Sequence, residues 1–179
     1  MIFGLFSKKY KPEAQNFSLR LLEHVDRSYK HSIQNLVQIL VGCGLNENDT
    51  STFLGYPHLK ITYAMGICAE ELLPARNTLG EREGERFEQA VINQLAPNMD
   101  GYTEKQISTM IENFLKIMRE DPANSRLILL DIMMEVCGLK NNISFKNLCK
   151  SPIKTLAVQV TIKEGPGKFQ GIMRESLQQ

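Results

Sequence analysis

Apolar residues recur along most of this chain at steps of three and four, the spacing of one face of a helix. Phe17, Leu21, Val25, Tyr29, Ile33, Leu36 and Leu40 form one such stripe. Pro12 suits a first helical position and Gly42 and Gly44 suit a stop, so a first helix is predicted between them, long enough to expect a kink or break. The run from Asn46 to Thr52, rich in Asn, Asp, Ser and Thr, reads as a loop. A second helix is predicted from about Pro57 to Leu73, because Pro74 cannot continue it. Its small residues Ala64, Gly66 and Ala69 admit a close neighbour, as a central helix requires. A third helix spans Glu81 to Leu95 and ends before Pro97.

The fourth helix has the clearest local signature. Asp100-Gly101 makes a turn, and Thr103 with Gln106 forms a capping box that satisfies free backbone N–H groups of the first turn. Ile107, Met110, Ile111, Phe114, Leu115 and Met118 then mark one face. Asp121 is expected to cap a fifth helix with Pro122 at its first position and Gly138 at its end. Its residues from Leu127 to Cys137 are apolar on nearly every side, which predicts a helix surrounded by others. Met110, Met118, Met133 and Met134 fall on these stripes and read as core filler. A short sixth helix is predicted from Ser144 to Lys150.

After Lys154 the pattern changes. Leu156, Val158, Val160 and Ile162 alternate as in a strand, Glu164 to Lys168 reads as a turn, and Phe169 to Arg174 as a returning strand. Ser151-Pro152 is also a helix opening, so the competing expectation is a final helix. The fold class expected is mainly α: one helical bundle of about six helices with a C-terminal β-hairpin. Residues 1–12 form an apolar and basic N-terminal peptide, 13–150 the helical domain, and 151–179 a C-terminal segment packed on the same domain. A chain of 179 residues suits one domain and can bury enough surface to fold without metal or disulfide.

Residues Met1 to Phe6 read MIFGLF and are followed by Lys8, Lys9 and Lys11. The charges follow the apolar stretch instead of preceding it and no cleavage site comes after it, which does not fit a signal peptide. No stretch reaches the roughly 20 apolar residues of a spanning helix. Ile2, Phe3, Leu5 and Phe6 with Lys8, Lys9 and Lys11 are therefore candidates for contact with a partner, with the chain's own domain, or with a membrane surface, as an apolar wedge behind a cationic collar.

Net charge is +1, unevenly spread. Residues 61–121 hold 11 Asp and Glu against 6 Lys and Arg, while both flanks are basic. Such asymmetry can guide docking, but it lacks the basic stripe that phosphate backbones need, so nucleic acid is not expected as a partner. Cys43, Cys68, Cys137 and Cys149 form no CxxC pair and read as reduced, buried thiols of a cytosolic protein. The charged run from Glu81 to Glu88 reads as a solvated helix face.

Chemistry-bearing constellations are sparse. Asp131 and Glu135 put two carboxylates on one side of an apolar helix, an arrangement able to share a proton or hold a metal, with Arg126 in reach as an ion-pair partner instead. Glu70 and Glu71 add oxygens only if their helix is a neighbour. His24 and His31 lie about 10 Å apart on a helix, too far for one ion. His58 stands at a helix start. No nucleophile motif, phosphate loop or zinc cluster is present, and Asn77 to Glu88 lacks the glycine of a calcium loop.

The stretch from Tyr102 to Ile153, with Asp121-Pro122, an apolar helix ending in Val136-Cys137-Gly138 and a helix beginning at Ser144, resembles the second half of a tellurite-resistance B-type helical domain, with His58 to Leu95 as its first half. The resemblance implies a helical fold with metal-engaging acidic loops. The matching segments here, Gly138 to Asn142 and Pro74 to Asn77, lack the acidic residues. The function expected from the whole reading is a non-catalytic cytosolic interaction or regulatory module that binds a protein partner or a second copy, without cofactor. A peripheral membrane protein and a metal-dependent sensor or enzyme are the alternatives.

Overall fold

A computed structural model describes residues 10–99 and 101–162. The described chain is helical, without a strand. In order it forms α1 (Lys11–Val41), α2 (Glu47–Leu54), α3 (Leu59–Leu72), α4 (Ala75–Leu79), α5 (Glu81–Leu95), α6 (Glu104–Glu120), α7 (Ser125–Val136), α8 (Ile143–Cys149) and α9 (Pro152–Thr161). Short 3-10 turns at Ala96–Asn98 and Pro122–Asn124 precede the loop to α6 and the start of α7.

Helix α3 is the centre. Every residue from Thr62 to Ala69 is buried, and α1, α6 and α7 pack around it. Gly66 makes the α7 contact possible: a methyl group there would overlap the buried Leu129 side chain. Helix α1 buries Phe17, Leu21, Val25, Ile33, Leu36 and Leu40 on the predicted stripe, with Ser18, Ser28 and Ser32 between them. It supports α3, α5, α8 and α9 along its length. The capping box of α6 forms as expected: the Thr103 N–H donates to Gln106 Oε1 at 2.8 Å and the Gln106 N–H to Thr103 Oγ1 at 3.3 Å.

Several expectations are corrected. There are more helices than six, because two segments that read as loop or linker are helical. Asn46 accepts from the Asp49 N–H at 2.8 Å and so caps α2 where a loop was expected; the polar residues that favour loops are also the best N-caps. Pro74 opens α4 as well as ending α3. Helix α1 runs through its 31 residues without a break. A 3-10 turn separates Asp121 from α7, and α7 is not surrounded, since Val136 is exposed and Leu127, Ile128 and Ile132 are only partly buried.

The strand expected from Lys154 is helix α9, with Pro152 in its first turn and Ser151 as cap. Alternation by two does not contradict a helix here. Residues 156 and 160 are one helical pair four apart, and 158 and 162 are another on the opposite side. Val158 and Ile162 are buried, whereas Leu156 and Val160 are exposed. The expected return strand, Phe169 to Arg174, lies outside the described residues.

Candidate interaction surface

Helix α9 runs antiparallel to the second half of α1. Ser32 Oγ donates to the Thr161 carbonyl at 3.2 Å, and ten residues further along α1 the Lys154 ammonium donates to the Gly42 carbonyl. Gln159 Nε2 donates to the Ala123 carbonyl at 3.1 Å, Thr155 Oγ1 to the Leu148 carbonyl at 3.3 Å, and the Arg126 guanidinium to the Gln159 carbonyl. These bonds hold α9 on α1, α7 and α8 with Val158 and Ile162 inward. The opposite side presents Ile153, Leu156 and Val160, which are 81%, 64% and 71% exposed. At steps of three and four, they form a continuous aliphatic stripe within about 60° of arc. Water covers a helix of this kind at a cost, because an apolar face on each side calls for a neighbour on each side.

The second notable feature joins α4, α5 and α6. Glu88 is 5% exposed. Its carboxylate accepts from Arg76 Nη2 at 2.9 Å and Nε at 3.2 Å, and from Arg119 Nη2 at 2.5 Å. Arg76 also pairs with Glu81 and, at 3.3 Å, with Glu85. The hydrogen bonds from Glu88 are the main cause holding the Arg76 guanidinium even more firmly charged than usual, against the opposing effect of burial. A cleft of about 460 Å³ lined by Leu73, Pro74, Asn77 and Pro122 opens beside these ions. Both arginines are engaged by carboxylates, so the cluster is a tie between three helices. The run Glu81 to Glu88 is thus not simply a solvated face: Glu81 and Glu85 are exposed and Glu88 is core.

The acidic pair of α7 is exposed. Glu135 binds Lys140, and Arg126 pairs instead with Glu70 at 2.9 Å across the α3–α7 contact. Ser125 Oγ donates to the same Glu70 oxygen at 3.2 Å, so that carboxylate is already coordinated by protein donors. Among the described residues no three His, Cys, Asp or Glu side chains converge as metal ligands. Partial burial and then the neighbouring Glu135 raise the Asp131 carboxyl above its usual range, with Lys140 acting in the other direction. A carboxyl raised on folding favours the folded state when protonated, and that advantage is lost as pH rises through its folded value. Asp131→Asn is therefore expected to raise the melting temperature slightly at pH 7, with the difference closing below the ordinary carboxyl value of 3.8. Melting curves of both proteins between pH 3 and 7 check this; a variant that melts lower at pH 7 would contradict it.

Of the candidate contact residues at the start of the chain, Lys11 lies exposed in the first turn of α1; Ile2, Phe3, Leu5, Phe6, Lys8 and Lys9 lie outside the described residues. Tyr10 is buried, edge-on to Phe87 with ring centres 5.9 Å apart, and its hydroxyl donates to Glu83 at 2.7 Å. This fixes the start of α1 on α5. His24 and His31 serve no common site; His31 hydrogen-bonds Asn35 at 3.0 Å. His58 bonds the Tyr102 hydroxyl and stands edge-on to Tyr56 and Tyr102. Cys43, Cys68 and Cys137 are buried and Cys149 is exposed, all as free thiols; burial pushes Cys137 up to about 11. No described helix is long and apolar enough to cross a membrane.

No known protein family, curated protein or solved structure matches the chain.

Proposed function

We propose that the protein is a non-catalytic interaction module that binds a protein partner through the outer stripe of α9. The observation that carries the reading is that Ile153, Leu156 and Val160 stay mostly exposed on a helix whose other side is already packed. Aliphatic side chains on a helix face suit an apolar groove or a second helix, with anchors read at steps of three and four. The Glu88 tie supports this reading indirectly, because its charged groups satisfy one another and hold the scaffold.

Replacing Leu156 and Val160 together by serine is expected to cost less than about 1 kcal/mol of stability, since both are mostly in water already. The same change should abolish retention of at least one protein that the native chain holds in a cell extract. Melting curves and quantitative mass spectrometry of the retained proteins measure the two effects. An identical set of retained proteins for native and variant chains would sink the proposal.

A further inference from the structure

The charges around α9 say what chemistry its outer stripe faces. Between Val136 and Ile162 the chain has no Asp or Glu, whereas Lys140, Lys146, Lys150 and Lys154 fall in that stretch. Helices α1, α7 and α8 pack against α9. The only charged side chain of α8 is Lys146, and Lys150 follows at its C-terminal cap, three residues before Ile153. Both lysines are exposed, and neither pairs with a carboxylate among the described residues. The half of α1 beside α9 has no carboxylate from Arg27 to Val41. Only α7 contributes any, Asp131 and Glu135, and Glu135 already binds Lys140. The first turn of α9 adds the positive partial charge of a helix N-terminus. The stripe is thus aliphatic along its length and electropositive at its Ile153 end.

An acidic helix suits both properties. Ile153, Leu156 and Val160 are three and four residues apart, the seam spacing at which one helix packs on another. A helix laid along that seam brings the positions flanking its own apolar stripe toward the lysines, where carboxylates are attracted and lysines repelled. A second copy docked face to face through α9 would set the same lysines of both chains against each other. A bilayer also fits less well. The outer stripe has no aromatic side chain, and Lys154, the one cation of α9, turns along α1 to the Gly42 carbonyl instead of standing beside the apolar face as the lysines of interfacial helices do.

We propose that the partner of α9 is an acidic amphipathic helix, its apolar anchors on Ile153, Leu156 and Val160 and its flanking carboxylates toward Lys146, Lys150 and Lys154. The inference rests on the reading of α9 as a binding face. Two synthetic helical peptides with one shared leucine stripe, flanked by glutamate in the first and by lysine in the second, probe it by fluorescence anisotropy with the full chain. The acidic peptide is expected to bind at least tenfold more tightly, with the preference shrinking as salt is raised. Its binding should shift the methyl resonances of Leu156 and Val160. Lys146→Glu with Lys150→Glu should erase the preference without altering the melting curve by more than a few degrees, and Leu156→Ser with Val160→Ser should remove binding of both peptides.

Equal affinity for the two peptides, an acidic peptide that binds no better than about 1 mM, or binding indifferent to the lysine substitutions overturns the proposal. So does a native dimer that Leu156→Ser converts to monomer, or flotation of the native chain with phosphatidylcholine–phosphatidylserine vesicles that the same variant abolishes. The binding-face reading fails separately, when the serine variant retains the same proteins from a cell extract as the native chain. Proteins lost by the serine variant but kept by Lys146→Glu with Lys150→Glu would leave α9 a docking face and overturn the acidic helix as its occupant.

Discussion

Glu88→Ala should lower the stability of the fold by about 3 kcal/mol, at the lower end of what breaking a buried ion pair costs. The carboxylate is the point where α4, α5 and α6 meet, accepting from Arg76 and Arg119 with its side chain 7% exposed. Alanine leaves two guanidinium groups facing each other across the space the carboxylate filled. They are 25% and 32% exposed and can turn partly into water, which is why the expected loss is not larger. Glu88→Gln keeps the acceptor oxygen and loses the charge, so it should cost about half as much. Chemical denaturation at constant pH measures both. A loss below about 1 kcal/mol for alanine would mean that the arginines find equal partners in Glu81 and Glu85 and that Glu88 is not the centre of the tie.

How far the fold could be read in advance depended on whether a local rule met a competing one. In α6, the Thr103–Gln106 box and the apolar stripe agree, and the helix starts where they place it. In α9, one sequence carried both strand alternation and a Ser-Pro helix opening. So short an apolar run fits either period, and as a helix it is apolar on two opposite sides, which is unusual for a surface position. That same peculiarity is what marks the candidate surface. Glu88 was passed over because a run of charges suggests solvent. Yet it sits three to four residues from Gly84 and Val91 and seven from Leu95, on the face that carries the buried residues of α5. Position within the period would have found it, whereas composition hid it. The partners of Arg126 were not legible, since nothing local tells that Glu70 of α3 and the Gln159 carbonyl of α9 would converge on it.

Gly84→Ala is expected to destabilise the protein by about 2 kcal/mol although alanine is the better helix former. Inside a helix, alanine is favoured over glycine by about 1 kcal/mol, which alone predicts a gain. A Cβ at Gly84, however, would lie 2.6 Å from the Arg76 Cα and 2.9 Å from its backbone nitrogen. Those are main-chain atoms of α4, so relief requires moving the helix and not a side-chain rotation; overpacking against main chain falls at the upper end of its usual cost, about 3 kcal/mol, and outweighs the propensity. Moving α4 also draws Arg76 away from Glu88, so Gly84→Ala and Glu88→Ala should together cost less than their sum. Arg82→Ala, on the exposed side of the same helix, should stay within about 0.5 kcal/mol and controls for effects on α5 itself. Denaturation of the single and double variants gives the coupling. Strict additivity, or a stabilising Gly84→Ala, would show that the close approach of α4 to α5 is not what places Arg76 on Glu88.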